Sequence, residues 1–358
     1  RINYDANGEN GSLLLEPSRQ NLVTQSEYFN SSYWIKELTS IVSNTTTSPD
    51  GTLNADKLVE NTGTGLHRTY SSIIPTIIGD DYTTSIFAKQ GERNIFGIQI
   101  SNGTQPYVWF NLATGEIELQ QAGIVGKIEP LINGWYKCTA SWNASSATSD
   151  RVFIQLAKSI NETTYTGDGT SGAYIFGATF EKGAYGTSYI PNHSGTGGVT
   201  RAADSCLGAG DVNTFNSSEG VLYTEISALE NDQTNRAICI YKDSSLDNII
   251  VIQYSSVSQN IRYLYRQGVT SIADINFVVS DITSVHKIAG SWENNNFRLF
   301  VDGIKVGEQL SGNVAPANTF ITLGFNRPDG QTFFGNAKQV AVFNEALSDS
   351  ELATLTTL

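Results

Sequence analysis

Short runs in which apolar and polar residues alternate with period two recur along the chain, separated by turns rich in Gly, Ser, Asn and Asp. Such alternation sends one set of side chains to a core and the other to a surface, so each run predicts a strand. In residues 135–142, Tyr136, Cys138, Ala140 and Trp142 share one face, opposite Trp135, Lys137, Thr139 and Ser141. Phe297, Leu299 and Val301 lie opposite Arg298 and Phe300, and Asp302-Gly303 follows at once. That pair tolerates positive φ and fits a two-residue hairpin turn, with Ile304 and Val306 opening the return strand. Residues 107–112 with 117–120, and 249–254 with 261–265, read as two further hairpins. One helix is predicted, near the end, where Ser348 and Glu351 have capping-box spacing ahead of Leu352 and Leu355. The expected class is all-β with antiparallel sheets.

The alternation lapses between residues 183 and 220 in a turn-rich stretch around 192–198, which places a boundary there. A length of 358 residues accommodates two domains, each able to bury its own core. The net charge of 22 − 35 = −13 changes the list of partners. Residues 1–197 carry 12 − 18 = −6 and residues 198–358 carry 10 − 17 = −7, so neither half is basic. Phosphate would repel such surfaces, and neither nucleic acid nor an anionic membrane is an expected partner. No run of about 18 apolar residues exists, so no membrane insertion is expected. Methionine is absent, even at position 1, which reads as a processed or partial chain. Cys138, Cys206 and Cys239 are too few and too far apart for a disulfide framework or a zinc pair, and read as free thiols.

Particular strings narrow the picture. Arg1-Ile2-Asn3-Tyr4-Asp5 and the stretch Gly11 to Leu22 are followed by Tyr28-Phe29-Asn30 to Trp34, Ser48-Pro49-Asp50-Gly51 with Asp56-Lys57-Leu58, and Tyr82 to Lys89. Gly134-Trp135-Tyr136, Gly167-Asp168-Gly169-Thr170-Ser171-Gly172 and the exit from Ser188-Tyr189-Ile190-Pro191 to Asp204 complete the series. In this order they resemble the carbohydrate-binding-module-like jelly rolls of bacteriophage tail-fibre and related virion proteins, over most of residues 1–204. His286 to Trp292, Phe297 to Gly303 and Phe343-Asn344-Glu345-Ala346-Leu347-Ser348 resemble the concanavalin A/laminin-G-like sandwich. The resemblances imply two antiparallel β-sandwich (jelly-roll) domains in series. Their expected limits are an N-terminal strap at 1–20, a jelly roll at 21–191, a linker at 192–204 and the second sandwich at 205–358.

Candidate chemistry points away from catalysis. Glycosidases need two carboxylates flanking one bond, but Glu225 and Glu230 stand too far apart, and Glu116-Ile117-Glu118 lies beside a turn. His67, His193 and His286 show no metalloprotease spacing, and neither a nucleophile elbow nor a phosphate loop is present. No enzyme is expected. Glycan binding needs flat aromatic faces and planar polar partners. Tyr107 with Trp109, and Arg262 with Arg266, alternate on strands and are the candidate glycan residues, an ordinary packed or solvated sheet face being the competing reading. If Trp109 lies on a glycan face, its removal should weaken binding with little thermal loss; a large thermal loss would mark it as core. Modules of this type imply structural calcium as the one cofactor to look for, with Asp50, Asp56, Asp168 and Glu181 as candidate ligands; a turn role for Asp50-Gly51 and Asp168-Gly169 competes.

The resemblance thus implies a non-enzymatic virion-surface, extracellular protein: a trimeric fibre or decoration that meets other virion proteins and binds host-surface polysaccharide. An accessory binding region of a secreted polysaccharide-degrading enzyme and a purely structural capsid or tail component are the alternatives.

Overall fold

The computed structural model describes residues 1–4, 11–101, 105–145 and 148–358; Asp5 of the opening string lies outside them. The fold is all-β, as the alternation predicts: antiparallel sheets, a single-turn 3-10 segment at Ile132–Gly134 and one α-helix, Asp349–Thr356. Among the described residues no helix is long and apolar enough to cross a membrane. The chain forms two compact units, residues 18–202 and residues 1–17 together with 203–358. Cys138 and Cys239 are buried free thiols and Cys206 is a partly exposed one.

In the first sandwich, one six-stranded sheet runs in the order Val125–Pro130, Trp135–Asn143, Asp81–Lys89, Gly172–Lys182, Ala55–Glu60, Thr39–Thr46. The other runs Glu116–Gln120, Tyr107–Asn111, Ile95–Ile100, Val152–Ala157, His67–Ser71, Trp34–Glu37. Ile86, Cys138 and Phe180 from one sheet meet Phe96, Ile98 and Phe110 from the other in the core. Tyr136, Cys138, Ala140 and Trp142 face inward together. The opposite face of that sheet carries both aromatic and polar side chains, and residues 185–190 lie over it. Tyr189 sets its ring 5.7 Å from Phe87 and 5.6 Å from Phe176, and Lys137 Nζ donates to the Thr187 carbonyl at 2.8 Å. Ser85 and Thr139 beneath are paired at 3.0 Å.

The Gly167–Gly172 string builds a close-packed turn. A Cβ at Gly167 would collide with the Asn61 carbonyl and one at Gly172 with the Leu58 carbonyl, so both approaches require glycine. Between them Asp168 accepts hydrogen bonds from the amides of Thr170 (2.8 Å) and Ser171 (2.7 Å). The turn closes on fully buried Glu60, which takes both arms of Arg93 (2.7 and 2.6 Å), the Tyr165 hydroxyl (2.7 Å) and the Asp168 amide (3.0 Å). These bonds compensate the burial of the charge.

The second sandwich pairs a seven-stranded sheet, Ile2–Asn3, Ser12–Leu15, Gly335–Phe343, Gly220–Ala228, His286–Glu293, Asn296–Val301, Ile304–Gln309, with a five-stranded one. The latter runs Thr270–Val278, Asn260–Gln267, Asn248–Tyr254, Arg236–Tyr241, Thr322–Gly324. Ile238, Ile250, Tyr263, Trp292, Phe297 and Leu299 fill the space between them. Asp302 (φ 49°) and Gly303 (φ 84°) form the hairpin turn read from the sequence. The helix begins on the predicted capping box, Ser348 accepting from the Glu351 amide while the Glu351 carboxylate accepts from the Ser348 amide at 2.8 Å. Its Leu352 packs with Val221, Tyr223, Ala289 and Phe300 on the outer face of the seven-stranded sheet.

The compact units divide the chain differently from the limits read off the sequence. Ser12–Leu15 pairs with Gly335–Phe343 (Leu13 opposite Ala337), so residues 1–17 complete the sheet of the second sandwich instead of forming a strap ahead of the first. Residues 192–204 are not a free linker. Asn192 is buried and donates to the Asn21 carbonyl at 3.0 Å, and Val199–Arg201 pairs with Arg19–Asn21 inside the first sandwich. Both cases have one physical reason: a strand edge is satisfied by whichever strand presents a matching ladder, and that partner can lie far away in sequence.

Candidate functional site

The outer face of the second-named sheet of the first sandwich is exposed in part, the end around Ile95, Trp109 and Ala157 being buried. Its strands send Ile98, Val108, Ile154 and Leu156 into the core, so the intervening residues Arg68, Tyr70, Gln99, Tyr107, Phe153 and Gln155 point the other way. All of these but Gln155 are partly exposed.

A ladder of planar polar groups crosses four strands of this face. Arg68 Nε donates to Glu37 at 2.7 Å and its Nη1 to Gln99 Oε1 at 3.5 Å. Gln155 Nε2 donates to the same oxygen at 2.7 Å, and Gln99 Nε2 to the Gln105 carbonyl at 3.1 Å. Aromatic groups flank the ladder on both sides. Tyr70 and Phe153 lie 4.9 Å apart, with Arg68 stacked on Phe153 at 4.7 Å and Arg151 on Tyr70 at 5.4 Å. On the far side Tyr107 meets Trp109 edge-on at 6.3 Å. Flat rings beside amides and a guanidinium held in fixed planes match what a pyranose requires: C–H stacking and paired polar partners for hydroxyls. Glu37, the carboxylate in this ladder, is engaged by Arg68, so the two-carboxylate arrangement of a glycosidase is not built here.

The predicted glycan residues fare unequally. Tyr107 belongs to this face. Trp109 is only 4% exposed and packs over Gly97, in a small cluster with Ile95 and Ala157, so it supports the face instead of presenting a platform. Arg262 and Arg266 share the outer face of the five-stranded sheet of the second sandwich but are already engaged: Arg262 grips Asp274 with both arms (2.7 and 2.6 Å), and Arg266 donates to the Val269 carbonyl at 3.2 Å. Arg68, Tyr70, Gln99, Phe153 and Gln155 went unread, although the alternations Arg68-Thr69-Tyr70 and Phe153-Ile154-Gln155 were available in the sequence.

The four acids proposed for calcium do not converge. Asp50 closes its own turn, accepting from Ser48 Oγ (2.7 Å) and from the amide and hydroxyl of Thr52 (2.8 and 2.7 Å); burial opposes the effect, but these bonds with Asn54 hold its carboxyl at about 2. Asp168 caps the glycine turn, and the hydrogen bonds from Ser171 and Thr170 hold it well below the usual carboxylate range. Asp56 is buried with the Asn44 amide at 3.0 Å, and burial raises its pKa. Glu181 is buried beneath Thr187, whose hydroxyl donates to it at 2.7 Å, and burial again raises the pKa. Among the described residues no group of three or more His, Cys, Asp or Glu could hold a metal ion, and these four acids are not brought together.

The family comparison bears on the second sandwich. Residues 211–353 match the family model described as the concanavalin A-like lectin/glucanases superfamily. No curated protein matches the chain. Among solved structures, the CBM40 of the Ruminococcus gnavus IT-sialidase, bound to alpha2,3 sialyllactose, is similar at 12% identity and TM-score 0.35, covering 42% of this chain and 94% of that one. The heptameric SAP-like pentraxin of Limulus polyphemus is similar at 12% identity and TM-score 0.34, covering 42% and 74%. Domains LG4-5 of the mouse laminin alpha1 chain cover 80% of this chain and 89% of that one at 10% identity and TM-score 0.29. Likenesses this weak place no site.

Proposed function

We propose that this protein is a non-catalytic glycan-binding protein, and that the open ladder face of the first sandwich makes the contact. The observation that supports this reading is the linked set Arg68, Gln99 and Gln155 on one sheet face beside the partly exposed rings of Tyr70, Phe153 and Tyr107. Following the sequence resemblance, its setting is the outside of a tailed-phage virion, as a trimeric fibre or decoration attached to other virion proteins and meeting host-surface polysaccharide. Three copies of a shallow face convert weak contacts into adhesion through effective concentration.

A glycan array probed with the full chain tests the reading. Wild type should give saccharide signals that survive a calcium chelator. Tyr70→Ala and Gln99→Ala should each weaken them by about tenfold or more, as truncated binding anchors do, with the melting temperature little changed. Array silence from folded protein, or signals indifferent to both substitutions, would overturn it.

A further inference from the structure

We infer that a second sugar site lies at the rim of the first sandwich, on Glu27, Tyr28 and His193, and that it takes an uncharged pyranose. This rests on the glycan-binding reading but not on the ladder face.

Tyr28 is 54% exposed, and the His193 ring lies 4.9 Å from it at an angle of 49°. The exposed Tyr28 ring, braced by the inclined His193 ring, gives a loop surface on which a sugar ring can stack. The carboxylate beside them is pinned by a directed chain of hydrogen bonds from the interior. The Asn192 amide donates to Ser26 Oγ (2.8 Å), Ser26 pairs with the Tyr189 hydroxyl (2.8 Å), and Tyr189 donates to Glu27 Oε1 (2.8 Å). His193 Nε2 lies 3.2 Å from the same oxygen. Ser26 and Asn192 are buried, so the chain has one sense and fixes the carboxylate plane.

Glu27 Oε2 accepts no hydrogen bond from the described residues, although the carboxylate beside it is held in place. The rim thus offers a ring face beside a carboxylate acceptor, which suits the donating hydroxyls of a neutral sugar. A uronate, sialate or sulfated sugar would meet the Glu27 charge.

The chain has three histidines, and His67 and His286 are buried, so a spectrum of the full chain labelled at histidine Cε1 reports on the rim through one resonance with two internal controls. The probes are methyl α-glucopyranoside, methyl β-galactopyranoside, sodium glucuronate, N-acetylneuraminic acid and choline. A neutral glycoside should move the His193 resonance alone, and both acids should need at least about tenfold higher concentration, corresponding to about 1.4 kcal/mol. Tyr28→Ala should abolish the shift and Tyr28→Phe should keep it, while Glu27→Gln should narrow the gap between neutral and acidic sugars. His193 unmoved by every neutral glycoside, moved equally by acids or by choline, or still moved in Tyr28→Ala would overturn the site. Where the array is positive and His193 stays still, the rim site alone fails; where both are silent, the glycan-binding reading fails with it.

Discussion

The two sandwiches bury different sets of charged groups. The first places four carboxyls out of solvent, Asp56, Glu60, Asp150 and Glu181, whereas the second places three guanidinium groups there, Arg236, Arg298 and Arg327, with one carboxyl, Glu16. They also treat their outer faces differently. In the second, the helix covers part of the seven-stranded sheet, and an aliphatic cluster of Cys239, Ile249, Val251 and Leu264 occupies the outside of the five-stranded one. In the first, residues 185–190 cover one sheet and the other keeps its ladder of Arg68, Gln99 and Gln155 beside partly exposed rings. An antiparallel sheet needs only one buried face. Which face stays exposed is decided by where the return segments of the chain lie, and this separates the proposed binding face from a packing face.

The sharpest way to break the contrast is Arg93→Ala. It leaves the Glu60 carboxylate buried without its guanidinium and should cost the first sandwich about 3–5 kcal/mol. Urea unfolding followed by tryptophan fluorescence reads this, since Trp34, Trp109, Trp135 and Trp142 belong to the first unit and only Trp292 to the second. Trp109→Ala should cost about 3 kcal/mol in the same assay, the range for a buried aromatic reduced to alanine. An unchanged transition with weakened glycan binding would return Trp109 to the role of an exposed platform.

Acid titration gives the smallest effect and tests the charge difference directly. In the first sandwich burial raises the pKa of Asp56, Asp150 and Glu181. Their cost to the fold is present at neutral pH and is relieved as pH falls through the raised values. In the same unit Asp50, Glu60 and Asp168 are lowered, and their stabilisation is lost as pH falls from about 4, the ordinary carboxylate range, toward about 2. The shifted carboxyls of the second sandwich, Asp211, Asp243, Asp274, Asp281, Asp349 and Glu351, are all lowered. Melting of the first unit should therefore rise slightly as pH falls from 7 toward the ordinary carboxylate range of about 4 and then fall, while that of the second only falls. Calorimetry across this range checks it, and parallel curves would remove the distinction.

What the sequence made legible was local. The faces of residues 135–142, the Asp302-Gly303 turn and the Ser348 capping box each depend on neighbours within a few positions, and all three appear as read. The destination of residues 12–15 was not legible, because their partner at Gly335–Phe343 lies more than 300 residues away. Tryptophan content misled in the same way: Trp109 faces outward in the period-two pattern, but Gly97 across the strand pair leaves space that its ring fills. The ladder residues carry the alternation signal in the sequence; that their face is uncovered follows only from the path of the chain. The four acids do not converge because each has its own turn or cover, a fact of hydrogen-bond partners that residue type does not carry.

Hydrogen–deuterium exchange of the full chain, with and without a glycan identified on the array, tests the central claim most directly. Added protection should appear in the peptides covering His67–Ser71, Ile95–Ile100, Tyr107–Asn111 and Val152–Ala157. Protection confined to the second sandwich, or to strands of the covered sheet of the first, would contradict the assignment of binding to the open ladder face.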